Sequence, residues 1–140
     1  MKQKLKLVSL NLMAVAVLAL VAGCAFDISH VKQQPVTYTA VATPAQAFVL
    51  SREIKATMGT GYPTRLKAGT RWYQVGNTEH GAVFGTKDQV VTVEASNNYE
   101  AQLVVADGFV KGFYLPVERS FVTVSSPIRL ETQPINPNQP

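Results

Sequence analysis

Apolar and polar residues alternate along most of the chain after residue 46. Over residues 47–58 one face carries the apolar side chains and the other the polar ones. Period two over this length predicts a half-buried β-strand. Arg52 interrupts the apolar face, so we expect either that its head group reaches water or that a bulge turns it aside. The apolar face comprises Phe48, Leu50, Ile54, Ala56 and Met58.

Shorter alternating runs follow, and residues that favour turns separate them. We predict strands at 71–75, 82–84, 88–95, 121–124 and 128–130, with turns or loops at 59–63, 66–70, 76–81, 96–98 and 125–127. Trp72 is expected in the core. Many short strands without a convincing helix indicate an all-β fold, either a small antiparallel barrel or a sandwich.

The clearest local signal is a hairpin around Asp107 and Gly108. Alternating apolar runs at 99–105 and 109–114 flank this pair, and Asp-Gly tolerates the positive φ angles of a two-residue hairpin turn. Gly112 is expected to mark a bulge or a close approach of two backbones. Pro116 is expected to end the second strand or to lie on a sheet edge, because proline cannot donate to the ladder.

The same hairpin carries apolar residues away from its expected core face. Val104, Val110 and Tyr114 fall on that second face. If it is uncovered, these residues form a candidate partner surface. If the other half of a sandwich covers it, they are core, and this is the interpretation we favour.

The N-terminal residues have the three parts of a secretory signal. Lysines at 2, 4 and 6 precede an apolar run over residues 7–21, and the small residues Ala22 and Gly23 lead to Cys24. The run is short for a membrane span, which needs about 20 apolar residues. We therefore predict an exported protein.

Val21-Ala22-Gly23-Cys24 resembles the lipobox of bacterial lipoproteins that are cut by signal peptidase II. The resemblance implies a diacylglyceryl group on the Cys24 thiol, cleavage between Gly23 and Cys24, and acylation of the new amine. Two or three acyl chains hold a protein firmly on a membrane. Ala25 follows the cysteine in place of the aspartate that commonly retains lipoproteins in the inner membrane. In a Gram-negative cell the resemblance implies the outer membrane, on the periplasmic side.

These signals divide the chain into four parts. Residues 1–23 are expected to be the signal peptide, 24–45 a tether rich in Thr, Gln and Val, 46–131 the β domain, and 132–140 a disordered tail with three prolines. An early strand at 36–41 is an option within the tether. The run from Leu66 to Val93, with its Ala-Gly-Thr-Arg-Trp turn, resembles bacterial SH3-like barrels.

Charge changes the picture little. The chain has 13 basic and 9 acidic side chains, but three of the basic ones leave with the signal, so the mature charge is near +1. Nucleic-acid binding usually needs a clustered basic face, and we explain Arg65, Lys67 and Arg71 as a solvated turn. Cys24 is the only cysteine, so no disulfide forms within the mature chain. No nucleic-acid partner is predicted.

Candidate catalytic and metal-binding residues are few. His80, beside Glu79, is the one histidine outside the expected tether, which contains His30. A solvated loop explains His80 better than a metal site or a triad. Glu94 and Glu100 flank a turn but fall among the polar alternates. We therefore predict no enzyme activity, no metal and no cofactor.

The function expected from these features is that of a membrane-anchored envelope lipoprotein whose β domain binds a protein or a cell-wall partner. One alternative is a periplasmic enzyme inhibitor, presenting loop 76–81 or 59–63, or a small hydrolase. Another is a structural component of an envelope or secretion assembly.

Overall fold

The computed structural model describes residues 30–59 and 62–138, and these residues form β-strands and turns with no helix. The lipobox and the signal peptide, which carry the membrane prediction, lie outside the described residues. The all-β prediction is confirmed. The strands are β1 Gln34–Pro35, β2 Thr39–Ala40, β3 Ala47–Leu50, β4 Ile54–Ala56, β5 Thr64–Leu66, β6 Arg71–Thr78, β7 Gly81–Gly85, β8 Thr92–Glu94, β9 Asn98–Glu100, β10 Gln102–Ala106, β11 Phe109–Leu115, β12 Ser120–Arg129 and β13 Thr132–Pro134.

Nine of these strands form one antiparallel sheet in the order β1-β12-β11-β10-β7-β6-β3-β13, with β2 also paired to β6. Strand β1 therefore lies outside β12, and β2 lies outside β6. Only residues 36–38 connect them. In a flat sheet the two would be six strand spacings apart, about 29 Å, whereas four Cα–Cα steps reach at most about 15 Å. The sheet must therefore curl until residues 34–40 bridge β12 and β6 and close a small barrel.

The barrel interior is filled by one side chain each from β6, β7, β10, β11 and β12 and by two from the connection between β1 and β2. Val83, Val104, Tyr114 and Phe121 are buried there, and Val36, Tyr38 and Val75 pack against them. The rings of Tyr38 and Tyr114 stack with centroids 4.6 Å apart and an angle of 4° between their planes. The Tyr38 hydroxyl donates a hydrogen bond of 2.7 Å to the carbonyl oxygen of Val75. Residues 36–38 therefore supply packing as well as the connection.

Glycines make room for two of the interior rings, those of Tyr38 and Phe121. The Tyr38 ring lies against Gly76, in the space that a Cβ atom would occupy. At Gly112 a Cβ atom would overlap the Val122 carbonyl oxygen and lie 2.7 Å from the Phe121 ring. The close approach expected at Gly112 is confirmed, and the β11–β12 register also shifts between Val110 and Gly112.

The main hydrophobic core lies on the outer side of the barrel strands. It contains Trp72, Phe84, Leu103, Phe113 and Val122, all 2 % exposed or less. The two-stranded sheets β4-β5 and β8-β9 cover it, contributing Ile54, Ala56, Leu66 and Val93. The Trp72 Nε1–H donates to the Thr70 Oγ1 at 2.8 Å, which satisfies the polar atom of this buried ring. Burial of Trp72 is thus confirmed.

The Asp-Gly turn and its hairpin are confirmed, but the first strand is shorter than predicted, because β10 begins at Gln102 and residues 98–100 form β9, which pairs with β8. Asp107 and Gly108 have φ angles of 54° and 79°, and β10 pairs with β11 on either side of them. Strand β11 ends at Leu115, directly before Pro116. Turn chemistry and local alternation are sufficient to specify this unit because its two strands are adjacent in sequence.

Other strand boundaries also differ from the predictions. Residues 47–58 form two strands, β3 and β4, in different sheets, although the predicted apolar face is buried in both. Arg52 lies in the bend between them and forms an ion pair with Glu131 at 3.3 Å. Residues 76–78 continue β6 where a loop was expected. Residues 88–91, which were predicted to be part of a strand, precede β8, and residues 125–127, which were predicted to form a turn, lie within β12. These segments are held by partners distant in sequence, such as Thr57, whose carbonyl accepts a bond from the Ser125 N–H.

The predicted tether and tail are corrected where the structure describes them. Residues 31–41 belong to the β domain, since Val31 is buried in the main core and β1 and β2 close the barrel. Residues 132–134 form β13, paired with β3. The strand residues of both segments are exposed and pair with their neighbours through backbone hydrogen bonds. Such bonds leave no hydrophobic pattern in a sequence.

The candidate partner surface on the hairpin is also corrected. Val104 and Val110 are 0 % exposed and Tyr114 is 4 % exposed. Val104 and Tyr114 face the barrel interior, whereas the register shift before Gly112 turns Val110 into the main core beside Phe113. The alternative that we favoured, core, is the correct one.

Candidate functional site

A groove of ≈ 730 Å³ opens where the inner side of the barrel wall continues past Val75. We call it the mouth groove. Strands β6, β7 and β10 form its floor, the loop after β7 forms one wall, and the C-terminal residues form another. Mouths of β-barrels are frequent ligand sites, and this volume is in the range of small-ligand pockets. The lining residues are Arg71, Tyr73, Val75, Gly85, Thr86, Lys87, Asp88, Gln102, Pro137 and Asn138.

The floor is apolar and aromatic. Tyr73 and Val75 face the groove because they alternate with Trp72 and Gln74 along β6. Gly85 lies opposite Tyr73 in the β6–β7 ladder, and a Cβ atom there would meet Val75 at 3.4 Å. The absence of a side chain at Gly85 therefore keeps the groove deep. Val75 also packs on the interior cluster, so the floor continues into the barrel.

An ion pair forms one end of the groove. The Arg71 Nε and Nη2 donate to the Asp88 Oδ2 and Oδ1 at 3.1 and 3.0 Å, and the Arg71 backbone N–H donates to Oδ2 at 2.7 Å. These hydrogen bonds lower the pKa of Asp88 below its ordinary value. The hydrogen bond to Asp88 also raises the pKa of Arg71. Both groups are therefore charged at neutral pH and largely satisfied by each other.

Hydrogen bonds shape the loop that carries Lys87. The Asp88 N–H donates to the Thr86 Oγ1 at 3.1 Å. The Gln89 side chain bonds the backbone on both sides of Leu66, because its Oε1 accepts from the Lys67 N–H at 2.7 Å and its Nε2 donates to the Arg65 carbonyl at 3.0 Å. The loop is thus tied to β5 and β6, which places Lys87 beside the floor.

The C-terminal residues close the remaining side. Strand β13 pairs with β3, and the Ile135 N–H donates to the Ala47 carbonyl at 3.4 Å. Pro137 and Asn138 then reach the groove. On the floor between the two walls lies Gln102, which is opposite Tyr114 in the β10–β11 ladder. Polar groups in the groove therefore come both from its floor, at Gln102, and from the C-terminal segment, at Asn138.

Two of the three basic residues that were expected in a solvated turn form ion pairs. Arg65 forms an exposed ion pair with Glu53 at 3.0 Å, and Arg71 pairs with Asp88. Exposed pairs of this kind contribute little to stability. They do neutralise two of the three positive charges, so this turn does not present a concentrated basic face.

The sequence-based candidates for chemistry lie away from the groove. His80 occupies the tight turn between β6 and β7, at the other end of these strands, and its ring stacks on Phe121 with centroids 4.0 Å apart. Glu94 and Glu100 are exposed and lie opposite Asn98 and Thr92, so they are not cross-strand partners. Across residues 30–59 and 62–138, no three His, Cys, Asp or Glu side chains are grouped to hold a metal ion.

The loop proposed for an inhibitor at 76–81 is instead a strand and a tight turn, and that at 59–63 lies partly outside the described residues. Sequence reasoning missed Tyr73, Lys87 and Gln102 as neighbours. For Tyr73 and Gln102 the only local signal is alternation, which places them on the side of the strand opposite to the core residues Trp72 and Leu103. Nothing local shows that β6 and β10 form one groove.

Within the described part of the chain, no helix has the length and apolar character needed to cross a bilayer. No protein-family model, no curated protein and no solved structure matches the chain. The resemblances to lipoproteins and to SH3-like barrels therefore stay predictions.

Proposed function

We propose that this protein is a membrane-anchored lipoprotein of the bacterial envelope whose β-barrel domain binds a protein or cell-wall partner through the mouth groove, without catalysis. The observation that carries the proposal is the groove itself. It joins an aromatic and apolar floor, Tyr73 and Val75, to a polar rim that includes Lys87 and Gln102. Ligand sites have this composition.

The anchor in this proposal is the lipidated Cys24. Val31 is already buried in the main core, so seven Cα–Cα steps separate the lipid from the folded domain. Such a segment spans at most about 25 Å. The domain would therefore stay close to the bilayer, and its partner would be a component that reaches the membrane surface.

Replacement of Cys24 by serine tests the anchor. The thiol is the group that would form the thioether, so Cys24→Ser should leave an uncleaved precursor whose N-terminal peptide carries no acyl mass. Mass spectrometry of the N-terminal peptide from native membranes measures this directly. A wild-type protein that begins at Met1, or that has a free thiol at residue 24, would contradict the proposed anchoring.

A photo-crosslinking amino acid at Thr86 tests the groove. Thr86 lines the groove, whereas Lys55 is exposed on β4 and does not. After irradiation of cells, a discrete adduct should form from position 86 and not from position 55. Equal adducts from both positions, or none from position 86, would refute a partner in the groove.

The hydrolase alternative depends on His80, because a Ser-His-acid triad in the mature domain would have to use it. Its ring is stacked on Phe121 and lies outside the groove. Turnover of ester or cell-wall substrates that is lost in His80→Ala would favour this alternative over the binding function.

A further inference from the structure

The charges that line the mouth groove do not cancel. Arg71, Lys87 and Asp88 are its charged residues, and Asp88 is committed to Arg71 by three hydrogen bonds. Lys87 is exposed, and no ion pair joins it to a carboxylate among the residues that the structure describes. The groove therefore presents one uncompensated ammonium group beside an apolar floor.

The remaining polar groups are of the kind that bind a peptide backbone. Gln102 and Asn138 each offer an amide that can both donate and accept a hydrogen bond, and Thr86 offers a hydroxyl. The floor formed by Tyr73, Val75 and Gly85 offers a surface on which an apolar side chain can pack. A sugar chain would need aromatic platforms at successive positions, whereas Tyr73 is the single aromatic residue in the lining.

We propose that the mouth groove binds the free carboxyl end of a peptide, with the carboxylate at Lys87, the last peptide group at Gln102, and an apolar side chain on Tyr73 and Val75. This inference rests on the proposed binding function and names the ligand of the same site. The chemistry is shared by two sources, the C-terminus of a partner protein and the stem peptide of the cell wall. The latter differs in ending with a D-amino acid.

The test titrates three probes into the full lipidated chain in detergent micelles, with binding followed by amide NMR shifts. The probes are acetyl-Leu-L-Ala, acetyl-Leu-D-Ala and the C-terminal amide of the former. We expect a free acid to shift the signals of Gln102 and Thr86. The matched amide should bind roughly tenfold more weakly, since it lacks the charge-assisted contact. The L or D preference of the acid then identifies the source.

Two variants and one matched control sharpen the result. Lys87→Gln removes the charge but leaves a polar side chain one atom shorter, and it should abolish the preference for acid over amide, whereas Lys55→Gln removes an exposed charge elsewhere and should retain it. Gly85→Leu should fill the floor and prevent binding of all probes, while the signals of the β8-β9 sheet, which lies away from the groove, stay unchanged and show that the domain is folded. Equal affinity of acid and amide for the wild type, or an equal effect of Lys55→Gln, would overturn the proposal.

The outcome is separable from that of the proposed function. If position 86 still crosslinks to a discrete partner while acid and amide bind equally, the groove binds a partner by other chemistry and only the carboxylate inference fails. If no adduct forms and no probe shifts the groove signals, both fail.

Discussion

The closure of the barrel by residues 34–40 makes a quantitative prediction about Tyr38 and Gly76. The Tyr38 ring stacks on Tyr114 and its hydroxyl bonds to the Val75 carbonyl. The stack contributes about 0.5–1.5 kcal/mol beyond burial, and the hydrogen bond contributes about 1 kcal/mol. With the loss of apolar contact in this half-buried side chain, Tyr38→Ala should lower the free energy of unfolding by about 3 kcal/mol.

Gly76→Ala should lower it by a different mechanism. A Cβ atom at this position would overlap the Tyr38 ring, and overpacking of this kind costs about 1–3 kcal/mol. Gly76 is not among the glycines with positive φ, so the backbone itself accepts alanine. In a Tyr38→Ala background the obstacle is gone, and Gly76→Ala should then be neutral or slightly stabilising, through the lower entropy of the unfolded chain.

Urea denaturation of the two single variants and the double variant measures this coupling. We expect the double variant to be about 2 kcal/mol more stable than the sum of the two single effects predicts. Gly108→Ala is the matched control, because its destabilisation comes from a φ of +79° and no atom lies near the new Cβ. The changes in free energy of unfolding caused by Gly108→Ala and Tyr38→Ala should therefore be additive. Additive effects of Tyr38→Ala and Gly76→Ala would refute the packing of this ring against the strand.

Two further variants test other contacts. Gly112→Ala should destabilise the protein by about 3 kcal/mol, because its Cβ would meet the Val122 carbonyl oxygen and the Phe121 ring; an unchanged thermal midpoint would contradict this close approach. The pKa of Asp88 is lowered by its hydrogen bonds with Arg71, so the folded state binds fewer protons than the unfolded state near the ordinary pKa. This contribution to stability is complete above that pKa and is lost as the pH falls through the lowered value. Asp88→Asn should therefore be less stable than the wild type at neutral pH, and the difference in urea midpoint should close as the pH falls below the ordinary pKa of aspartate; a difference that persists in acid would exclude the carboxylate as its origin.

The class of fold was readable from the chain because its signals are local. Period-two alternation needs no knowledge of the partner strand, and it located the buried residues of β3 and β4; Trp72 of β6 was also expected in the core and is buried there. The Asp107-Gly108 turn has its own conformational requirement, met by the φ angles of 54° and 79°. Neighbours in sequence determine such features, so sequence patterns report them.

Features that depend on distant partners could not be read in this way. Strict alternation along the strand placed Val110 on the second face of the hairpin, but a register shift against β12 turns it into the main core, which also contains Phe113. Residues 132–134 looked like part of a disordered tail, yet they pair with β3 through backbone groups that any residue carries.

The mouth groove is the clearest case. Tyr73, Lys87 and Gln102 have no pattern in common, and the chain that closes the barrel beside them, residues 34–40, resembled a linker. Local alternation defines which side of each strand is buried. The short connection of residues 36–38 between β1 and β2 makes the sheet curl, and this curl decides which of those sides face one another. That choice depends on contacts across the whole domain, and so it appears only when the chain is folded.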